Sequence, residues 1–250
     1  QVSAEAMLNG SADKPLALLR SAELTLDGVQ ASAGGQRPAL SGKLSLRGEQ
    51  LVSENLQLRL GDNSADIHLT AANLFGAVPV VTADLTAKRF LLDPLLAAGG
   101  AGAPGKGSPD DSAPAAGQGE ELGPFDIPLQ ASGNIRIDET VWKGLKVENF
   151  VAEYQLKDNI LDIRRMDGQV VGGSFSNSAR VDLGRKGLVY SAELGLKTLQ
   201  ADPLLNALAP KLVGALAGAM DMSLSVNGKG TQWEGLRKKL SGEGVLSLSG

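Results

Sequence analysis

The chain has one histidine, His68, and no cysteine, so it is poor in the side chains that carry acid–base, nucleophilic or metal chemistry. A Ser-His-Asp hydrolase would have to use His68, and no Gly-x-Ser-x-Gly elbow accompanies it. Its alternation with Ile67 and Leu69 places it on the polar side of a strand, with no second His or Cys to share a metal ion. Gly100 to Gly107, GAGAPGKG, falls one residue short of a phosphate-binding loop. Gly107 stands where a Ser or Thr would meet magnesium, and the segment lacks the preceding apolar strand and following helix. The paired carboxylates Asp110–Asp111 and Glu120–Glu121 lie in low-complexity sequence that offers nothing to hold them at a working separation, so they read as solvated. These residues predict a protein that is not an enzyme and that uses no cofactor or metal.

Charge and composition narrow the remaining classes. A formal net charge of −4 provides no broad basic face for a phosphate backbone, so nucleic acid is not an expected partner. Only 4% of the residues are aromatic, and the 32 glycines suit short strands joined by turns better than an aromatic-filled catalytic core. The sequence starts at Gln1 with no charged-then-apolar leader and reads as a fragment. Its longest clean apolar run, Leu212 to Met220, is about half of the ~18 to 20 residues that span a bilayer. Any membrane tether is therefore expected outside these residues. Within that run, Gly214 to Gly218 spells a small-xxx-small pattern, read as a small apolar helix lying on a sheet, with a lid as its functional version. Trp142 and Trp233 read as packing residues, or as indoles at a lipid interface.

The elements that must position these residues are strands. Apolar and polar residues alternate with period two in run after run: Leu24 and Leu26, Leu44 and Leu46, Leu56 to Leu60, Ile67 and Leu69, Val81 to Ala87, Ile135 and Ile137, Ala179 to Leu183, Tyr190 to Leu196, and Met222 to Val226. Asp27-Gly28, Gly61-Asp62-Asn63, Asp167-Gly168, Gly172-Gly173 and Asn227-Gly228 read as turns between them, and strands joined so tightly are antiparallel. Short helices are expected at Asp93-Pro94 and Asp202-Pro203, where the aspartate caps and the proline takes the first helical position. The second is expected to run to Ala209, break at Pro210 and resume from Lys211 to Met220. Another helix is expected from Gln232 to Leu240, before a closing strand from Gly244 to Leu248.

The chain also repeats itself. Ala83 to Leu96, ADLTAKRFLLDPLL, and Ala192 to Leu205, AELGLKTLQADPLL, are identical at seven of fourteen positions. Self-similarity of this kind marks architectures in which stacked units complete each other's cores. Between the copies lies a stretch of Gly, Ala, Pro and acidic residues that reads as a linker. The expected organisation is a first β region over 1–96, a disordered linker or loop over 97–124, and a second β region with short helices over 125–250.

Gly133 to Asp138, the segment LKVENFVAEYQLKDNILDIRRMDGQVVGG from Leu145 to Gly173, the strand from Leu188 to Lys197 leading into ADPLL, the Asn-Gly pair and the closing LSGEGVLSLSG together resemble the C-terminal region of the AsmA family. The resemblance covers mainly Leu129 to Gly250, with a weaker echo from Ser21 to Leu96, and it extends to the wider AsmA/TamB-like group of bridge-like lipid-transfer proteins. It implies a Gram-negative protein of outer-membrane biogenesis, lying in the periplasm and tethered to the inner membrane, whose sheet conducts phospholipid acyl chains.

The expected fold is therefore mainly β: an elongated, curved antiparallel sheet, groove-like and repeat-built, with a few short helices. The expected groove lining is Leu56, Leu58, Ile67, Leu69, Leu85, Ile135, Ile137, Val181, Tyr190, Leu194, Leu196 and Leu224. Phospholipid acyl chains are the expected partner, with outer-membrane or periplasmic proteins as further ones. Two rival readings stand beside this one. The first is an assembly factor for outer-membrane proteins that pairs through sheet edges, and the second is a secreted β-repeat adhesin or stalk whose apolar faces close as a dry sandwich.

Overall fold

The computed structural model describes residues 2–8, 19–30, 39–91, 121–208, 218–232 and 237–249. The alternating runs form thirteen strands in one sheet, ordered in space as they are in sequence. They are β1 (Val2–Leu8), β2 (Leu19–Gln30), β3 (Ala39–Arg47), β4 (Gln50–Leu60), β5 (Asn63–Ala72), β6 (Val80–Arg89), β7 (Gln130–Trp142), β8 (Leu145–Lys157), β9 (Ile160–Val170), β10 (Gly173–Asp182), β11 (Val189–Gln200), β12 (Ala219–Lys229) and β13 (Ser241–Ser249). At about 4.8 Å per step the sheet is roughly 55–60 Å wide along its surface, and its edge strands β1 and β13 do not pair with each other. The sheet is open, not a barrel.

Tight turns sit at Gly48-Glu49, Gly61-Asp62, Lys143-Gly144, Asp158-Asn159 and Val171-Gly172. Three expected turns are corrected. Asp27-Gly28, Asp167-Gly168 and Asn227-Gly228 all lie inside strands. Gly28 has φ 60° at a register shift between Leu26 and Val29, so the dipeptide marks a bulge. Gly168 and Gly228 have another purpose. A Cβ on Gly168 would lie 2.7 Å from the Phe175 ring, and one on Gly228 would lie 2.4 Å from the Tyr190 ring, so each glycine makes room for an aromatic side chain on the next strand.

Every neighbouring pair is antiparallel except β6 and β7, which run parallel. Parallel neighbours need a crossover of a dozen or more residues, and the long segment between Arg89 and Gln130 supplies one. Most of the span read as a linker lies outside the described residues, as do Asp93-Pro94, the Gly100–Gly107 segment, Asp110, Asp111 and Glu120. Its returning end is tied to the sheet, contrary to the solvated reading of Glu121. The Glu121 carboxylate accepts hydrogen bonds from Thr231 N (2.6 Å) and Oγ1 (2.7 Å). Leu122 N donates to Thr231 Oγ1, Phe125 N to Leu183 O, Ile127 N to Asn159 Oδ1 and Gln130 N to Pro79 O. These bonds make the segment from Glu121 to Leu129 a strap along one end of the strands, from β12 back to the start of β7.

The Asp-Pro signal at Asp202-Pro203 marks helix α1 (Ala201–Leu208), but the helix starts at Ala201, so Asp202 is not its cap and lies in the first turn, where a carboxylate favours the dipole. The expected continuation to Met220 is corrected at its end, because Ala219 and Met220 begin β12. Of the expected helix from Gln232 to Leu240, a single turn is described at 237–239. Among the described residues α1 is the element that packs across the sheet, against β8 and β11. Under it lies the larger core cluster, formed by Leu145, Val147, Val170, Leu199, Ala201, Leu204 and Met220. A smaller cluster of Ala65, Ala87, Phe90 and Ile137 lies further along the same face.

A candidate apolar groove

Strand pairing carries mostly apolar side chains along one face from β3 to β12. One row runs Leu56, Ile67, Leu85, Ile135, Ala152, Met166, Asn177, Leu194 and Leu224 from β4 to β12. A second, towards the strap, runs Leu46, Leu51, Ala71, Val81, Ala131, Leu156, Leu161, Val181 and Tyr190 from β3 to β11. Between them Leu69 opposes Ala83, and Ile163 opposes Tyr154. Towards the opposite end Ile137 opposes Phe150, and Phe175, Leu196 and Met222 follow one another. Leu58 shares this face with Leu56, two residues away, and opposes Ala65. All twelve residues expected to share a face therefore do so.

The reverse face is polar. A row of Thr82, Ser132, Gln155, Asp162, Arg180, Ser191 and Asn227 crosses it. Arg180–Asp162 (3.1 Å) and Arg164–Glu153 (3.3 Å) bridge neighbouring strands there. Such exposed pairs contribute about 0–1 kcal/mol each, so the apolar face dominates the energetics. His68 is exposed on the polar face, opposite Asp84, and Asp84 Oδ1 accepts from Asn134 N at 2.8 Å. Among the described residues no group of three His, Asp or Glu side chains is placed to hold a metal ion. Trp142 is exposed beneath Lys143 Nζ, 5.4 Å from the ring centroid, and Trp233 and Gly214 to Ala217 lie outside the described residues.

What strict alternation misses is a break in period that keeps the face apolar from end to end. Leu26 and Val29, Ser53 and Leu56, Val147 and Phe150, and Leu196 and Leu199 are each three residues apart across a register shift. The residue before the second member of each pair, Gly28, Asn55, Asn149 and Thr198, has φ between 51° and 60°. Each bulge inserts one residue, returns the next apolar side chain to the same face and bends the strand. Repeated on four strands, the bulges curve the sheet. Gly and Asn tolerate this conformation, whereas Thr198 is β-branched and held there as its N–H donates to Asp221 Oδ1 at 2.9 Å. For Leu26–Val29 and Val147–Phe150 the signal lies in the sequence as apolar spacing of three beside a Gly or an Asn. Phe150, after the Asn149 bulge, joins Met166 and Phe175 in completing the face in β8 to β10.

Little of this face is covered. Leu56 and Ile137 are buried, but most of the other expected lining residues are half-exposed, because outside α1 no second layer of described residues packs on them. Where α1 does cross, a pocket of about 350 Å³ opens between helix and sheet, lined by Thr140, Trp142, Val147, Phe150, Phe175, Leu196, Leu199 and Leu204 among others.

The AsmA family model matches residues 21–250. The chain belongs to the AsmA family. The match is broader than the expected one, since it takes in the first β region and the second together. No curated protein and no solved structure is matched significantly. At the level of the AsmA family, membership suggests envelope biogenesis and lipid transport.

Proposed function

We propose that this AsmA-family chain is a non-enzymatic part of a lipid conduit in the periplasm, whose apolar face conducts phospholipid acyl chains between the inner and outer membranes. The single observation that carries the reading is the apolar face itself, continuous over nine or more strands and mostly without a covering layer. An open face of this kind leaves apolar area in water unless something fills it, and each buried methylene of an acyl chain contributes about 0.8 kcal/mol. Leucine, alanine and valine make few directional demands, so a chain can slide along them. No described helix is long and apolar enough to cross a membrane, so in this reading the tether to the inner membrane belongs to another part of the protein.

One observation favours a second reading, assembly of outer-membrane proteins. All nine residues of β13 are exposed, its pairing with β12 is unbroken by bulges, and it carries no Lys or Pro of the kind that protects edges. Such an edge can accept a partner's strand. A photo-crosslinking residue at Leu194 in the full-length protein, with Glu193 on the opposite face as control, separates the readings. Phospholipid adducts at Leu194 alone are the expected result. Protein adducts alone would favour the assembly factor, and no adduct despite efficient activation would mean a closed, dry face.

A further inference from the structure

Thr140 stands out on the apolar face. It is 1% exposed, it lines the pocket under α1, and its Oγ1 has no hydrogen-bond partner. Buried hydroxyls in folded proteins are rarely left in this state, because the group loses water and gains nothing. Valine would fill the same volume without that loss. A trapped water is a poor substitute, since it needs two to four polar partners of its own. Asn177, another polar side chain in the lining, already accepts from Gly195 N.

The surroundings specify what the hydroxyl would meet. The lining is otherwise almost entirely hydrocarbon and aromatic, with Phe150 and Phe175 in tilted contact at 6.4 Å. Its volume of about 350 Å³ is near the lower end of the roughly 300–1,000 Å³ usual for small-molecule pockets, which suits one chain and not a two-chain lipid. Trp142 is the most exposed residue of the lining and stands at the hairpin end of the strands. Phe150, Phe175 and Leu196 belong both to the pocket lining and to the apolar face, so the two are continuous.

Building on the conduit reading, we infer that the pocket under α1 is a seat for one acyl chain, whose carbonyl oxygen accepts a hydrogen bond from the Thr140 hydroxyl. The seat gives the apolar face a place, roofed by α1, where a lipid stops in a fixed orientation; the Tyr190 hydroxyl, the other buried hydroxyl without a partner among the described residues, lies outside the pocket lining.

Trp142 reports on the pocket directly. A Trp233→Phe variant of this 250-residue chain leaves Trp142 as the one tryptophan in it, and its emission is titrated with a dibrominated fatty-acid methyl ester and with the dibrominated alkane of equal length. The ester is expected to half-quench at the lower concentration. Thr140→Val is expected to raise that concentration about five-fold, the worth of one neutral hydrogen bond, and to leave the alkane unchanged. The lipid-free Thr140→Val protein is expected to melt at a higher temperature, because it sheds an unpartnered hydroxyl. Equal behaviour of ester and alkane in both proteins, or a lower melting temperature for the variant, would overturn the seat. A Leu194→Trp reporter in a Trp142→Phe, Trp233→Phe background covers the open face. Quenching at Leu194→Trp but not at Trp142 overturns the seat and leaves the conduit standing, whereas quenching at neither position overturns both.

Discussion

At the scale of single residues, Leu194 and Glu193 divide the two faces of β11. Leu194 lies between Asn177 and Leu224 in the central apolar row, while the Glu193 carboxylate accepts from Ser225 Oγ at 2.9 Å on the polar side. An aspartate at 194 would meet an acyl chain with a charge whose desolvation costs on the order of several kcal/mol, where about 1.4 kcal/mol is already ten-fold. Leu194→Asp is therefore expected to cut lipid passage at least about ten-fold while the strand still forms, and Glu193→Lys to have little effect. An envelope-permeability assay checks this, and similar behaviour of the two variants would mean that lipid does not run on this face. Both residues were assignable from sequence because β11 alternates strictly as far as Leu196. Phe150 was not, because the Asn149 bulge breaks the alternation two residues after Glu148 reads as outward.

Among the elements, the strap from Glu121 to Leu129 was the least legible, since it hangs on a few scattered side-chain and backbone bonds that carry no periodicity. Its first anchor is Glu121, whose carboxyl is held below its ordinary value of 4.5 chiefly by the Thr231 backbone N–H, with the Thr231 hydroxyl adding to the effect. A carboxylate depressed in the folded state stabilises at pH above its unfolded value, and that contribution is lost as pH falls through the lowered folded value. Hydrogen exchange within residues 121–129 is thus expected to accelerate, once corrected for intrinsic rates, as pH falls below the usual carboxylate range. Thr231→Val, which removes the hydroxyl and leaves the backbone donor, is expected to move the onset to higher pH. An onset unmoved by Thr231→Val would show that the hydroxyl does not contribute to holding the strap. The short helix at Asp202-Pro203 was legible for the opposite reason: a carboxylate and a proline in the first turn are local signals that need no tertiary contact.

Across the whole molecule, the parallel junction explains the repeat. In a sheet where every neighbour is antiparallel, β6 and β11 would run in opposite directions; the one parallel step between β6 and β7 makes them run the same way. The two copies can then present the same surface. Leu85 and Leu194 occupy the same row, and Phe90 and Leu199, seven residues after Ala83 and Ala192, are both buried. A one-layer sheet in sequence order also confines each strand's contacts largely to its immediate neighbours, with α1 and the strap as the described exceptions, so stability is expected to add along the sheet as it does in repeat proteins. Leu56 is 4% exposed in β4, and Leu56→Ala is expected to cost about 2–5 kcal/mol. That loss should appear as faster hydrogen exchange in β3 to β6 and leave β10 to β12 at wild-type rates, because opening is local when no second layer couples distant strands. Uniform acceleration over all thirteen strands would instead mean that something joins the two ends of the sheet. Under the proposed conduit function, strands that open and close independently would let the face adjust to a passing chain in one place while it stays folded elsewhere.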